Sequence, residues 1–222
     1  MIVVLLGAPG AGKGTQAKRI ETARGFRHVS TGDLLREAVE AGTELGILAG
    51  KYMDAGSLVP DDVMLGLLNA LLDHGSQGAG VILDGFPRTV PQAKALDHLL
   101  EDRGEKVDRI IFLDIKREDA VERLSSRVSC PKCGSIHNLA TSMPMADGSC
   151  DACSGELVRR SDDEPEKIER RFEQFQSQTH ATIEYYRSQG RLDTVDSGRS
   201  IDEVREAIDE ILDRNSGPQA AG

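Results

Sequence analysis

The fold of this chain is decided by residues 2–15, which read Ile-Val-Val-Leu-Leu-Gly-Ala-Pro-Gly-Ala-Gly-Lys-Gly-Thr. A short apolar run followed by a glycine-rich turn with one lysine is typical of a parallel strand that leads into a phosphate-binding loop and a helix. Backbone N–H groups of such a loop close around phosphate oxygens, and Lys13 adds a compact positive charge. The usual pattern is G-x-x-x-x-G-K-[ST], and here Gly14 stands where the hydroxyl that binds Mg²⁺ is expected.

Two other interpretations of this loop are weaker. A dinucleotide-binding fingerprint would need a third glycine where Thr15 stands, although Asp33 lies near the distance expected of a ribose-binding acid. A plain strand-to-helix turn without a ligand leaves Lys13 unexplained. The loop therefore predicts a site for a nucleotide phosphate.

Strand-like and helix-like segments alternate along the rest of the chain. Apolar runs predict further strands at 80–84, 109–114 and 192–196, and helices are predicted at 15–24 and 201–212. One stripe of the last helix carries Ile201, Val204, Ile208, Ile211 and Leu212. Strands separated by helices predict an α/β fold, with a doubly wound parallel sheet and helices on both faces.

Two stretches interrupt this alternation. Residues 30–59 are predicted to be helical, with Ser30 and Asp33 forming a helix start, and Gly42, Gly56 and Pro60 breaking the helical segments up to about Asp73. Residues 129–160 are rich in Gly, Ser and Cys and have no helical period. Both are expected to be insertions at the carboxyl edge of the sheet, where ligands bind.

Composition excludes several classes of protein. The chain has 222 residues and a net charge of −10, which disfavours a general nucleic-acid binder. No apolar stretch approaches the roughly 20 residues of a membrane span. The apolar start is too short for a secretory signal and continues into the glycine loop. A cytoplasmic enzyme is expected, with a disordered tail at 215–222.

The four cysteines form two pairs, Cys130-x-x-Cys133 and Cys150-x-x-Cys153, separated by sixteen residues. This spacing suits a tetrahedral zinc site, and four thiolates would close the coordination sphere and make the metal structural. Disulfides are the alternative and are disfavoured in a cytosolic chain. His137 lies between the pairs but has no coordination position left, and the other histidines, among them His28, show no partner pattern.

A second charged motif follows the predicted strand at 80–84 and reads Leu83-Asp84-Gly85-Phe86-Pro87-Arg88-Thr89. Asp84 would hold Mg²⁺ directly or through water, and Arg88 would present its guanidinium to a phosphate. An exposed turn with an ordinary surface arginine is the alternative.

More arginines flank the cysteine segment: Arg123, Arg127, Arg159, Arg160, Arg170 and Arg171. Arg123 and Arg127 are predicted to share one helix face. Each arginine alone is more often a solvated surface charge, but around an insertion the set is a candidate for clamping transferred phosphate. The run Asp162-Asp163-Glu164 is interpreted as an acidic helix N-terminus.

Together these residues resemble the adenylate kinases. Four motifs stand in the family's order, at residues 7–15, 30–36, 83–89 and 160–163, and the resemblance covers about residues 1–214. The cysteine segment is similar to the lid of the bacterial long-lid form, which carries zinc on four cysteines.

The resemblance implies the reaction MgATP + AMP = 2 ADP, with Mg²⁺ as cofactor of ATP and a structural Zn²⁺. It implies a P-loop core at 1–29, 60–125 and 164–214, an AMP-binding arm at 30–59 and a zinc lid at 126–163. The implied partners are ATP, AMP and ADP, with no nucleic acid and no membrane, and the protein is expected to be a monomer.

The resemblance also assigns residues by position. Catalytic roles would fall to Lys13, Asp84, Arg88, Arg123, Arg127, Arg160 and Arg171. ATP would contact Gly10, Ala11, Gly12, Lys13, Gly14, Thr15, Arg123, Arg127, Ile136, His137 and Arg199. AMP would contact Thr31, Arg36, Ser57, Leu58, Val59, Gly85, Phe86, Pro87, Arg88, Gln92, Arg160 and Arg171. Zinc would be bound by Cys130, Cys133, Cys150 and Cys153.

The chain departs from the family's pattern at two places. Val128 stands where many relatives have a second arginine, and His137-Asn138 stands where a Tyr-His pair is frequent. Two alternative functions stay open: a nucleoside monophosphate kinase acting on UMP, CMP or GMP, and a zinc-ribbon binding module with a vestigial NTPase. The acidic balance disfavours nucleic acid as a partner of such a module, and the intact arginine set disfavours a dead enzyme.

Overall fold

The structure is a computed structural model that describes residues 1–54, 58–73, 79–146 and 148–214. Its strands are β1 (Ile2–Gly7), β2 (Phe26–Ser30), β3 (Gly80–Asp84), β4 (Arg109–Asp114), β5 (Arg127–Ser129), β6 (Ile136–Asn138) and β7 (Leu192–Asp196). Its helices are α1 (Lys13–Arg24), α2 (Thr31–Glu40), α3 (Glu44–Asp54), α4 (Asp61–Asp73), α5 (Val90–Glu101), α6 (Arg117–Ser125), α7 (Pro165–Gln174), α8 (His180–Ser188) and α9 (Ile201–Asp213).

A five-stranded parallel sheet forms the core, in the order β2-β3-β1-β4-β7. Every residue of β1 is buried, since side chains of alternate residues enter two different hydrophobic clusters. Ile2 packs in the cluster that includes side chains of α5, α7 and α8, and Val3 packs in the one beneath α1 and α9. The predicted doubly wound α/β sheet with helices on both faces is therefore confirmed.

All four predicted strands are present, and the sheet contains one more. The unpredicted strand is β2, at the edge of the sheet, where only Phe26 and Val29 are buried. An edge strand with Arg27 and His28 in its middle has no continuous apolar run, so its sequence lacks the usual signal.

The ends of several helices follow the sequence signals. The Ser30 hydroxyl accepts a hydrogen bond from the Asp33 N–H (3.2 Å) at the start of α2, as predicted. Gly42 adopts φ +63° just after α2, and Pro60 precedes α4. The predicted break at Gly56 lies outside the described residues. On α9 the predicted stripe is buried except for Ile201, which is 43% exposed because it is the first residue of the helix.

The cysteine segment, as far as it is described, has no α-helix between α6 and α7, in agreement with its sequence. Instead, β5 and β6 pair as an antiparallel hairpin. The prediction that Arg123 and Arg127 share a helix face was wrong, because α6 ends at Ser125 and Arg127 begins β5. None of the helices in the described part of the chain combines the length and hydropathy that a membrane span requires.

Candidate active site

The loop between β1 and α1 has the backbone geometry of an anion site. Gly10 and Gly12 adopt φ +83° and +87°, in the left-handed region that favours glycine. A Cβ on Gly10 would lie 2.5 Å from the Ala120 carbonyl oxygen, so no side chain fits there. The loop ends at the N-terminus of α1, where backbone N–H groups are free to bind phosphate.

The ammonium of Lys13 is held by the loop itself. Its Nζ donates to the carbonyl oxygens of Gly7 (2.9 Å) and Ala8 (3.0 Å). Burial lowers the pKa of Lys13 to about 8; nearby Asp84 opposes this shift and Arg88 adds to it. The lysine is therefore positioned in an enclosed site between a carboxylate and several guanidinium groups.

Asp84 ends β3 beside this loop and is 8% exposed. His28 Nε2 lies 3.4 Å from Asp84 Oδ2. Burial favours the neutral form of Asp84, but the hydrogen bond from His28 and the charge of Lys13 outweigh it and lower the pKa of this carboxyl. A Cβ on Gly14 would lie 3.4 Å from Asp84 Oδ2, so the place of the usual hydroxyl adjoins this carboxylate.

A cleft between the arm helices and β3, here called the arm cleft, has an empty volume of about 670 Å³ including the part open to solvent. Among its lining residues are nine of the twelve proposed AMP contacts: Thr31, Arg36, Leu58, Val59, Gly85, Phe86, Arg88, Gln92 and Arg171. Ser57 lies outside the described residues. The rest of its wall consists of Gly32, Asp162 and three apolar residues that the sequence did not indicate, Leu35, Met53 and Met64.

A second cleft, here called the phosphate cleft, adjoins the first. It is lined by Gly7, Lys13 and Pro87, and by Gln174, Phe175 and Thr179 from the end of α7 and the π-helical turn that follows it. The two clefts share four lining residues: Leu58, Gly85, Arg88 and Arg171. Arg88 and Arg171 therefore lie where a ligand from the glycine loop and one from the arm cleft would meet.

Arg88 is fixed from both sides. Its Nε donates to the Gly85 carbonyl oxygen (2.7 Å), and its backbone N–H donates to Gln92 Oε1 (2.7 Å). Burial lowers the pKa of Arg88 to about 10, and Arg171 adds to this shift. A guanidinium so enclosed by other cations is poised for an anion.

A buried carboxylate joins two arginines that lie on either side of the cysteine segment. The side chain of Asp163 is 0% exposed and accepts two hydrogen bonds from Arg127, at 2.5 and 2.7 Å, and one from Arg171 at 3.1 Å. Helix α7 begins only at Pro165, with Glu164 as its N-cap. The interpretation of the acidic run as a helix N-terminus therefore misses what the aspartates do.

Ion pairs also join residues 126–163 to residues 30–59. Arg160 Nη2 lies 3.5 Å from Asp33 Oδ1, and Arg160 Nε donates a hydrogen bond to the Ser129 hydroxyl at 3.3 Å. Arg36 Nη1 lies 3.8 Å from Asp162 Oδ2. Burial lowers the pKa of Arg160 to about 10, with Arg36 adding to the shift. Burial alone would raise the pKa of Asp162, but Arg171 and Arg36 lower it.

The four cysteine sulfurs come together as predicted, all within 4.8 Å of one another. Cys130 and Cys153 are 3.4 Å apart and Cys133 and Cys150 are 3.6 Å apart, near the ~3.8 Å edge of a tetrahedron with Zn–S bonds of about 2.3 Å. A Cβ on Gly155 would lie 3.0 Å from Cys130 Sγ, so the backbone closes tightly on the sulfurs. The donor set fits zinc.

Four remaining predicted contacts have different surroundings. Ile136 extends over the start of α1, with Cδ1 3.5 Å from where a Cβ on Gly14 would lie. Arg123 is half-buried and makes no ion pair within the described residues, while Arg199 is exposed just beyond β7. His137 Nδ1 lies 3.7 Å from Asp151, so the side chain is directed to another part of the lid segment.

Comparison with known proteins decides the family. A family model described as adenylate kinase matches residues 5–191. An adenylate kinase of Thermodesulfovibrio yellowstonii is 47% identical over 96% of this chain and 100% of its own length. One of Archaeoglobus fulgidus is 44% identical over 96% and 99%, and one of Kosmotoga olearia 46% over 94% and 97%.

The chain belongs to the adenylate kinase family. It is thus a nucleoside monophosphate kinase, and the family's reaction is ATP + AMP = 2 ADP, with Mg²⁺ accompanying ATP. The resemblance drawn from four motifs is confirmed across nearly the whole chain.

Adenylate kinase motifs did not indicate every residue at this site. His28 was missed because β2 was missed, although it stands two residues before Ser30 and so on the same side of the strand. The sequence analysis gave Asp33 and Asp162 other roles and missed their ion pairs with arginines. The signal that could have indicated these pairs is that each aspartate stands close in sequence to an arginine, Arg36 or Arg160.

Proposed function

We propose that the chain transfers the γ-phosphoryl group of MgATP to AMP inside a site closed by the lid, 126–163, and the AMP arm, 30–59. The observation that carries this proposal is the pair of adjoining clefts that share Arg88 and Arg171. ATP phosphates on the glycine loop and the AMP phosphate in the arm cleft would meet at these two arginines.

The reaction needs neutralisation of charge and in-line alignment more than covalent chemistry. An oxygen of the AMP phosphate bonds to the γ-phosphorus while the bond to the β-phosphate oxygen breaks, giving two ADP. Lys13 would exchange its two carbonyl partners for phosphate oxygens and follow the moving group. Arg88, Arg123, Arg127, Arg160 and Arg171 would balance the spreading charge. The site needs no general base and no covalent intermediate.

Asp84 is suited to anchor the magnesium that accompanies ATP. Mg²⁺ supplies charge neutralisation at the phosphates and keeps several of its waters. Asp84 is buried, charged and adjacent to Gly14, where no hydroxyl is available. We therefore assign Asp84 the role of holding those waters as an outer-shell ligand.

Closure of the lid would exclude water from the transfer. Two observations support it: Ile136 of the lid lies over the start of α1, and the ion pairs Arg160–Asp33 and Arg36–Asp162 join lid and arm. A closed site prevents hydrolysis of ATP, and reopening is a slow step in many such enzymes. Zinc bound to the four cysteines would stabilise the lid and take no part in the chemistry.

The test is a coupled ADP assay with ATP as donor and AMP, UMP, CMP and GMP as acceptors. We expect AMP to be preferred; preference for another acceptor would favour a related monophosphate kinase. A lack of AMP-dependent ATP consumption would favour a binding module. Gel filtration and cell fractionation would test the predictions of a monomer and of a cytoplasmic location.

Lys13→Met tests the central role of the loop. We expect kcat to fall by about 10³-fold or more, because a partly buried cation at the transferred phosphoryl group is lost. Lys18→Met, at an exposed lysine of the same helix paired with Glu21, is the matched control and should keep its activity. Near-normal turnover of Lys13→Met would contradict the assignment.

A further inference from the structure

The carboxylate of Asp61 takes no part in the proposed phosphate chemistry. It contacts the proposed AMP site through one side chain, that of Gln92. Asp61, in the first turn of α4, accepts a hydrogen bond from Gln92 Nε2 at 2.6 Å through its Oδ1. Its Oδ2 accepts from the Thr89 hydroxyl at 3.2 Å. Gln92 is 2% exposed and lines the arm cleft, so Asp61 holds it from behind.

The partners of Gln92 leave its amide only one orientation. Its Oε1 accepts from the Arg88 backbone N–H, which can only donate, and its Nε2 donates to the Asp61 carboxylate, which can only accept. Turning the amide over would place two donors together at Arg88 and two acceptors together at Asp61. The usual ambiguity between the oxygen and nitrogen of an amide is therefore removed by the chemistry of its neighbours.

A fixed amide offers a fixed pattern to a base. Oε1 keeps one lone pair and Nε2 keeps one N–H, side by side. Adenine presents a 6-amino donor beside the N1 acceptor, which fits this pattern. A 6-oxopurine presents the reverse, an acceptor beside an N1–H donor, and would fit only a turned amide.

We propose that Asp61 is a positioning residue that selects a 6-amino purine by locking the Gln92 amide. The inference rests on the proposed function, since it takes Gln92 as a contact of the AMP base. Asp61 makes binding of a 6-oxopurine unfavourable. To fit that base the buried amide of Gln92 would have to turn over, which would place two donors together at Arg88 and two acceptors together at Asp61.

The test uses AMP, IMP and GMP as acceptors with ATP as donor. IMP is the decisive probe, because hypoxanthine differs from adenine only in the 6-position and the N1 proton. Asp61→Asn replaces an acceptor by a group that both donates and accepts, so both orientations of Gln92 become available. We expect the AMP-to-IMP ratio of kcat/KM to fall at least tenfold, through KM, with kcat for AMP changed less than twofold.

Asp62→Asn is the matched control, since this exposed neighbour loses the same charge in the same turn of α4. It should keep the wild-type ratio. Asp61→Ser shortens the side chain and removes the acceptor from Gln92 Nε2, so it should also lower the AMP-to-IMP ratio, and melting curves show which variants fold.

Gln92→Leu separates the two levels of the argument. We expect it to abolish most of the AMP-to-IMP discrimination. An unchanged ratio in Gln92→Leu would overturn the assignment of Gln92 to the base, and with it this inference. Loss of discrimination in Gln92→Leu with a wild-type ratio in both Asp61 variants would overturn the inference alone.

Discussion

At the scale of single residues, the site keeps cationic side chains where their charged forms are unfavourable unless an anion binds. Lys13 is partly buried and lies near Arg88, so desolvation and the like charge disfavour its charged form, although two carbonyl oxygens accept hydrogen bonds from it. Phosphate would relieve this cost on binding. The charged lysine therefore lowers the stability of the folded chain and favours phosphate binding, which is a physical form of the trade-off between stability and function.

This cost predicts a pH-dependent stability. The pKa of Lys13 is about 8 in the folded chain against 10.5 for an ordinary lysine, so between these values the unfolded chain binds more protons and stability rises with pH. The charged lysine therefore lowers stability below pH 8, and the loss disappears above pH 10.5.

Melting temperatures of wild type and Lys13→Met, measured from pH 7 to 10.5, check this. We expect the variant's advantage in melting temperature to be largest at pH 7 and to shrink as pH rises. The same series with Lys18→Met controls for loss of a lysine. A difference between Lys13→Met and wild type that stays constant with pH would show that burial of Lys13 has no such cost.

The two turns at Cys130–Cys133 and Cys150–Cys153 offer a second residue-scale prediction. Gly134 N donates to Cys130 O (2.9 Å) and Ser154 N donates to Cys150 O (2.8 Å), so the two turns match. Gly134 has φ +73°, but the equivalent residue of the second turn is Ser154, with φ +55°. Left-handed backbone costs a residue with a Cβ about 1–2 kcal/mol.

We expect Ser154→Gly to stabilise the folded chain by about 0.5–1 kcal/mol, since the strain exceeds the entropy that glycine adds to the unfolded chain. Gly134→Ser should destabilise it by a similar amount. Denaturant midpoints on zinc-loaded protein measure both. Opposite signs are required; a shift of both variants in one direction would refute the strain argument.

At the scale of elements, the segment between α6 and α7 has little regular structure of its own. Between α6 and α7 the regular structure of the described residues consists of the short β5–β6 pair, isolated bridges and a 3-10 turn at Ser161–Asp163, and Met143 and Met145 are 72% and 90% exposed. So small an apolar core cannot offset the entropy of ordering the segment. The four-cysteine cluster is the feature that can supply the missing free energy.

Removal of zinc should therefore act on stability. A chelator that strips the metal is expected to lower the melting temperature by several degrees, while enzyme that is still folded keeps its turnover. Metal content, melting temperature and initial rate are measured on one sample, with MgCl₂ in excess so that Mg²⁺ is retained. Immediate loss of turnover in folded protein would instead indicate a catalytic metal.

At the scale of the whole molecule, the arginines of separate elements are held together by carboxylates. Asp163 joins Arg127 of β5 to Arg171 of α7, and Asp33 and Asp162 join the arm to the lid segment. Like charges would otherwise repel one another across the clefts. The fold keeps the cations close before any nucleotide binds, which is preorganisation.

Asp163→Asn tests this arrangement. Breaking a buried ion pair by neutralising one partner typically costs about 3–5 kcal/mol, so we expect a loss of that order in the free energy of unfolding, with lower kcat. Urea denaturation and the coupled assay provide the two measurements. Glu164→Gln, an exposed neighbour, should change neither. Wild-type stability of Asp163→Asn would show that the carboxylate does not hold the arginines.

The parallel sheet, the glycine loop and the clustering of the four cysteines could be predicted from the residues alone, and the family resemblance indicated most of the residues that line the arm cleft. The sheet, the loop and the cysteine cluster depend on signals that are local in the chain, namely apolar runs and a fixed spacing of Gly or Cys. Such local signals are reliable because a strand without a polar face and a close pair of cysteines each occur in few other structural contexts.

Which charged side chains meet follows from the three-dimensional packing and could not be predicted from the sequence. His28 reaches Asp84, Asp163 binds Arg127 and Arg171, and Asp61 orients Gln92, across separations of 56, 36, 8 and 31 residues. No local pattern marks such partners, because the sequence around an aspartate that pairs with a distant arginine looks the same as the sequence around a solvent-exposed aspartate. Their positions follow from the packing of the sheet and helices, which brings the carboxyl ends of separate strands to one edge.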